Sequence, residues 1–434
     1  MKVAIIGGGM AGLASAWLLR EHHDVTLFER EAVAGGHSKT VSVPRTGGGT
    51  VEVDVGFIVY NERTYPHFVH FLDHLGVASH PSDMSFSVSL GNASFEWSGA
   101  SPRAVFGQSR NFFRASFWRM LKDIRRFNIE GATWLARSEA DTSLGDWLEQ
   151  RGFSRELADH YLLPMAAAIW SAPQDCIAGF SARMFMQFFA NHGLLTITDQ
   201  PIWRTVTGGS ARYVERVVKD LEGRIRLEAP VLSTRRSEEG IFLRSAGMAE
   251  ERFDHVVFAS HADQSLAIAE DLEDEERNLL EGFPYQPNHA VLHTDPAFMP
   301  KRRSVWASWN ALGAEHDQPT CLTYWMNRLQ GLDPATPLFV TLNPRHEPRG
   351  VLGRWQFDHP LFDCQTPARQ QAMDRLQGRG GYWWAGAWLG YGFHEDALVS
   401  GMRVAQALGA VVPWPVSGSA EGLPGDGIDL SSAA

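Results

Sequence analysis

A chain of 434 residues exceeds the roughly 250–300 residues that one hydrophobic core sustains, so two lobes around a shared cleft are expected. Hydrophobic residues make up 44% and charged residues 21%, an ordinary soluble balance, and a net charge of −11 excludes general attraction to nucleic acid. The three cysteines, Cys176, Cys321 and Cys364, stand far apart without CxxC spacing, which argues against a disulfide framework or a metal site and for a reducing cytoplasm.

The apolar stretch 3–19 has the texture of a secretory signal core. Its glycines, however, fall at nucleotide-binding intervals, and no small-residue cleavage site follows. Lys2–Ile6 is a β-branched run that reads as a buried parallel strand, followed by Gly7, Gly8, Gly9, Met10, Ala11 and Gly12 and then a helical pattern over 13–20. Each glycine has a task. Gly7 permits the tight turn, Gly9 lets a pyrophosphate approach the backbone, and Gly12 lets helix and strand pack closely. The free N–H groups at Met10 and Ala11 then face the anion, helped by the helix dipole.

Asp24–Phe28 predicts a second strand, and Glu29 follows it 22 positions after Gly7, where a carboxylate takes ribose hydroxyls; Glu29 and the adjacent Arg30 are assigned to the cofactor. A second glycine pair, Gly35 and Gly36, precedes His37 and Ser38. A further backbone-exposing turn beside the same pyrophosphate suits the long FAD molecule better than NAD.

Four segments carry a resemblance to the flavin amine oxidase superfamily, which includes monoamine and polyamine oxidases, protoporphyrinogen oxidase and carotenoid desaturases. They are 7–38, 54–57, 203–210 with Val231 and 256–260, and 384–401. The resemblance implies a Rossmann-like FAD-binding domain with an interleaved substrate domain, an α/β unit beside an antiparallel sheet. It also implies that Gly56 and Phe57 lie beside the flavin ring and that Val231 gives backbone bonds to adenine. In the closing motif, Gly386, Ala387, Phe393, His394 and Glu395 are expected where a helix N-terminus points at the flavin. On the same basis the FAD domain is assigned to 1–75, 203–285 and 376–412, the substrate domain to 76–202 and 286–375, and a flexible tail to 413–434.

Departures from the superfamily pattern bear on function. The arginine after the double glycine is replaced by His37, the strand 288–293 lacks the lysine that amine oxidases place near the flavin, and Phe393 stands where a tyrosine flanks an amine. The text of 54–61 and 390–396 resembles a bacterial subfamily of FAD-dependent oxidoreductases, and that likeness implies a link with acyl-chain modification. The sequence shows no triad or paired carboxylates, so the flavin is expected to do the redox work while the protein orients and shields it. Tyr60, Asn61 and His394 are the catalytic candidates, with Phe57, Trp388, Tyr391 and Phe393 near the ring; the alternative role for His394 is to hold the flavin or backbone by a hydrogen bond. His192 and His261 read as structural.

Residues 76–200 read as largely helical, and 290–294, 305–309, 321–326 and 338–342 as strands of a sheet with one covered face. Segment 103–127 holds seven Lys/Arg against one Asp, with Phe113, Phe117, Met120, Leu121 and Ile124 at helical spacing. Such a helix either buries its apolar face in the protein or lies on an anionic membrane. The expected partner is a hydrophobic or lipid substrate, with no nucleic acid, and the expected location is the cytoplasm, peripheral on the inner membrane if 103–127 touches lipid. Desaturation of a fatty-acyl or phospholipid chain leads; amine oxidation, redox-neutral isomerisation of a double bond, and a lipid-binding module with structural FAD are the alternatives.

Overall fold

The computed structural model describes residues 1–45, 47–137, 139–196, 200–313 and 321–415. Five strands far apart in sequence form one parallel sheet in the order Ile225–Arg226, Asp24–Phe28, Lys2–Ile6, His255–Phe258, Tyr382–Trp384. Ile5 sits between Leu27 and Val257 in register. Such a sheet is covered on both faces, which is why its central strands read as continuous apolar runs. The helix Met10–Leu19 covers one face and is buried along its whole length, wedged between the sheet and the closing helix His394–Ala407. No described helix is long and apolar enough to cross a membrane.

A second sheet has seven strands in the order Val351–Pro360, Tyr285–His293, Phe339–Leu342, Cys321–Trp325, Trp309–Gly313, Phe86–Leu90, Phe95–Ser98. All neighbours are antiparallel except Trp309–Gly313 and Phe86–Leu90, which run parallel. The strand expected at 305–309 is displaced. Arg303–Val305 forms a single helical turn, and the strand begins at Trp309, because Ala307 N–H and C=O are taken by the Asn310 side chain. Met326 leaves its strand and opens a short helix.

Helices between residues 102 and 191 build a third core around Phe127, whose ring lies 5.8–6.5 Å from those of Trp147, Phe153, Phe185 and Phe189. Burying each such ring is worth roughly 1.5–3 kcal/mol. The expected helix over 103–127 is broken: Pro102–Val105 and Ser109–Phe113 are single turns, and one long helix runs from Ala115 to Leu135. Phe117 and Met120 are buried as the spacing predicts, but Phe113 precedes the helix and is 85% exposed.

The start of the expected tail is anchored. Trp414 is buried against Trp17 and Phe71 and donates its indole N–H to His67. Residues 416–434 of that expectation lie outside the described residues.

Candidate functional site

The dinucleotide turn is fixed by close backbone approach. Gly7 adopts φ +106° and donates its N–H to Phe28, and a side chain there would strike the Ala259 carbonyl. At Gly12 a Cβ would lie 1.9 Å from the Gly7 carbonyl oxygen, so helix and strand could not meet with anything larger. Gly12 therefore packs the turn and does not itself line the cavity. Gly9 is different. It caps the first helix in an ordinary extended conformation (φ −73°, ψ −174°), and a Cβ there would have no protein atom within 4 Å. The space beyond Gly9 is cavity.

The second glycine pair is laid on the first. Gly35 N–H donates to the Gly8 carbonyl at 2.8 Å, and Gly36, at φ +55°, brings its Cα against Gly9 so that a Cβ would be 3.1 Å from the Gly9 Cα. Glu29 is buried beside them. Its Oε2 accepts from Gly8 N–H at 2.7 Å and its Oε1 from Glu31 N–H at 2.8 Å, and each oxygen keeps capacity for a further donor such as a ribose hydroxyl.

One cavity of about 1590 Å³ begins at this turn, larger than the 300–1,000 Å³ typical of a small-ligand pocket. Gly7, Gly9, Met10, Ala11, Glu29, Arg30, Gly35, Gly36, His37 and Val231 line its first part; Gly56, Phe57, Gly386, Ala387, Trp388, Phe393 and His394 line its middle. A third part runs on between helices, past Val105, Leu121, Ile124, Tyr161, Met165 and Ile169.

His394 opens the closing helix. Its ring stacks on Phe57 at 3.8 Å, and its Nε2 lies 2.7 Å from the Tyr213 hydroxyl, which also bonds Ser38. Burial, with His37 nearby, lowers its pKa to about 3, so the imidazole is neutral at physiological pH. His394 is placed to accept and hold hydrogen bonds. Beside it, Phe393 stacks on Phe188 at 4.8 Å and forms a wall between the middle of the cavity and its third part.

Besides Gly12, four sequence-assigned residues do not line the cavity: Glu395, Tyr60, Asn61 and Tyr391. Glu395 turns away: its oxygens accept from His67 and Phe68 N–H at 2.9 Å each, capping the helix Pro66–Leu75. Burial pushes its pKa up to about 8, against the pull of those two bonds. Tyr60 donates its hydroxyl to Ser79 and packs on Phe68, and Asn61 uses its amide on Arg63 N–H, Thr64 N–H and Thr64 Oγ1. Both are buried braces of the loop, immediately following the Ile58 and Val59 that do line the cavity. Tyr391 likewise sits in the helical core, where its carbonyl accepts from Trp170.

Sequence reasoning passed over the histidines around His37. His37 packs 5.3 Å from His359 and 6.3 Å from His261, and all three are cavity-lining. Burial lowers their pKa values, to about 4 for His37, about 3 for His359 and about 4 for His261. His37 Nε2 and His261 Nδ1 are buried without a protein partner. His192 also lines the cavity, while holding the structural bonds expected of it: Nδ1 to the Phe188 carbonyl and Nε2 to Thr64.

The family model described as flavin-containing amine oxidoreductase matches residues 10–343. The chain belongs to that family. Bovine flavin-containing amine oxidase A is 24% identical over 245 residues, which cover 55% of this chain and 45% of the bovine enzyme, so the match spans less than half of that relative's length. Cyclohexylamine oxidase from Brevibacterium oxydans shares the fold at a TM-score of 0.68 and 18% identity, covering 94% of this chain and 98% of its own. A fatty acid isomerase of P. acnes that produces CLA aligns with a TM-score of 0.66 at 15% identity, over 93% and 98%.

FAD is the cofactor of this family member, and the residues fit it. The open space over Gly9, the first-helix amides, the Glu29 carboxylate and the unsatisfied nitrogens of His37 and His261 are what a diphosphate, a ribose and their polar atoms require. Phe57, Phe393 and His394 stand where the ring end would lie, and an electron-rich ring is favoured by the N-terminus of the closing helix.

Proposed function

We propose that this chain is an FAD-dependent oxidoreductase that takes hydride from a fatty-acyl or phospholipid chain and leaves a double bond. The observation that carries the reading is the third part of the cavity. It is lined by residues of the helical layer, Val105, Leu121, Ile124, Met165 and Ile169, with the polar groups of Asn128 and Tyr161 among them. Among the described lining residues from Trp97 to Leu194 there is no carboxylate, and the nearby lining carboxylate Asp83 is already paired with Arg328 at 2.8 Å, so an ammonium group would enter without a free counter-charge. The one lysine among the described lining residues, Lys39, lies beside the flavin-side strands and not on Tyr285–His293.

FAD would supply the acceptor for both the hydride and the proton that leave adjacent carbons, two electrons in all. The protein's part is to hold an unactivated C–H close to the ring and to keep water out, a task for shape more than for acid and base. The Phe57–His394 stack and the Phe393–Phe188 stack are rigid faces suited to it. Neutral His394, tied to Tyr213, keeps its place without carrying charge into an apolar channel.

Anaerobic titration of the holoenzyme with acyl phospholipids and, separately, with primary amines tests this. The expected result is loss of the visible flavin band with the lipid alone and a product lighter by one H₂. Bleaching by amines and not by lipids overturns it. A double-bond isomer of unchanged mass, with the flavin still oxidised at the end, would replace desaturation by isomerisation in the same channel.

A further inference from the structure

The apolar channel ends at the surface beside an unusual patch. Gly99, which lines the channel, is exposed, and Ala100 and Val105 are half-buried. The next residue, Phe106, opens an aromatic cluster. Its ring lies 5.7 Å from Phe112 and 5.5 Å from Trp118, and Phe112 lies 5.5 Å from Phe113. Phe112 is 55% exposed, Phe113 85% and Trp118 46%. Water-facing aromatics in contact with one another are a standing cost unless something covers them.

The loop that presents them is braced. Buried Gln108 bonds the backbone of Ala93, Ser94 and Glu96, and buried Asn111 bonds the Glu96 carbonyl at 2.8 Å. Cations flank the cluster along the chain. Arg103, Arg110, Lys122 and Arg125 are exposed and form no ion pair with any described residue, and Arg114 lies close enough to Arg110 and to Arg302 to be repelled by both. Nearby acids are engaged elsewhere: Glu156 with Arg119, Glu130 with Arg126, Glu96 with Arg302, and Asp123, within the segment itself, is buried and accepts from Ser154 N–H. This patch is basic on a chain whose net charge is −11.

We infer that the surface formed by 103–125 docks on an anionic phospholipid bilayer, with Phe112, Phe113 and Trp118 entering the headgroup boundary and the channel mouth facing the lipid. Charge complementarity selects the bilayer: local cations attract anionic headgroups while the acidic remainder of the protein is repelled, which fixes the orientation. The same segments serve both ends of the arrangement. Leu121 and Ile124 of the long helix line the channel, while Trp118, Lys122 and Arg125 of that helix face outward. An acyl chain could therefore pass from bilayer to cavity along one element. The inference rests on the reading of the channel as an acyl-chain site.

Flotation of the FAD-loaded full chain with phosphatidylglycerol vesicles and with phosphatidylcholine vesicles tests it. Binding to the anionic vesicles alone, weakened by added salt, is expected. Replacing both Phe112→Ser and Phe113→Ser should lower the partition at least about tenfold. Arg110→Glu with Lys122→Glu should lower it about fivefold or more for each cation lost, with FAD content and melting temperature unchanged in both variants. No binding, equal binding to both vesicles, or variants that bind like the parent would overturn the inference, as would a dimer in solution that the phenylalanine variants dissociate. Vesicle binding is read without turnover, so its failure is separate from a failure of detergent-dispersed lipid to reduce the flavin.

Discussion

Gly9→Ala isolates cofactor approach from folding. The backbone there is in a region open to every residue, and the added methyl would meet no protein atom within 4 Å, so the chain itself has no steric reason to keep glycine. The remaining cost is the poorer capping by alanine at a helix start, a few tenths to about 1 kcal/mol. A diphosphate drawn onto the amides of Met10 and Ala11 would meet that methyl. Withdrawing it by the width of the group would forfeit one hydrogen bond to a charged partner, about 1.5–3 kcal/mol, or roughly 10- to 150-fold in affinity. The assay is titration of deflavinated protein with FAD by quenching of flavin fluorescence, alongside thermal unfolding of the deflavinated protein. Weakened binding with a nearly unchanged melting temperature is expected. Equal affinity in the alanine variant would refute the reasoning, since the diphosphate then could not lie over Gly9.

Gly401→Ala should behave in the opposite manner: its Cβ would fall 2.4 Å from the Ala11 carbonyl oxygen, prising the closing helix from the first, and overpacking of about 1–3 kcal/mol should lower the melting temperature even without FAD. Glu395→Gln exchanges an acceptor for an NH₂ group opposite a buried N–H, and a loss of about 1–3 kcal/mol in urea unfolding is expected, with FAD affinity retained. Six buried or half-buried histidines (His37, His192, His261, His293, His359 and His394) have pKa values lowered to about 3–4, whereas Glu395, Asp396 and Asp54 are raised to about 8, about 7 and about 6. Between pH 6.5 and 4 the six histidine protons taken up by the unfolded chain outweigh the three held by the folded acids, so the urea midpoint should fall on acidification; above pH 7 the ionising acids favour the unfolded chain, so it should fall again on the alkaline side. A midpoint that rises steadily from pH 7 to pH 5 would contradict this account.

Much of the nucleotide half was legible because its signals are short-range. Strand, glycine turn, helix, strand and Glu29 fall within thirty residues, and Gly12 answers to the Gly7 carbonyl inside that span, although the contact that excludes a side chain at Gly7 comes from distant Ala259. The second sheet was less so. Val351–Pro360 carries Gly353 and several polar residues and alternates between half-buried and exposed up to Phe357, its one buried residue, so no continuous apolar face marks it. Phe86–Leu90 and Phe95–Ser98 are surrounded by helical text, and the parallel partner of the first lies more than two hundred residues away.

The residues that sequence reasoning misplaced share a cause: adjacency along the chain was taken for adjacency in space. Glu395 follows His394, but successive residues of a helix point about 100° apart, so one faces the cavity and the other the neighbouring helix. Tyr60 and Asn61 follow Phe57 within four positions, yet by then the loop has become a strand paired with Trp203–Val206, and their side chains are spent on its own bracing. The converse error hid the histidine cluster. His37, His261 and His359 come from the second glycine turn, the end of a sheet strand and the end of Val351–Pro360, and nothing in any one segment announces the other two. Only the fold brings them together, and it does so where a neutral imidazole costs least: beside the amides of the first helix, which already favour the anion without a fixed positive side chain at position 37.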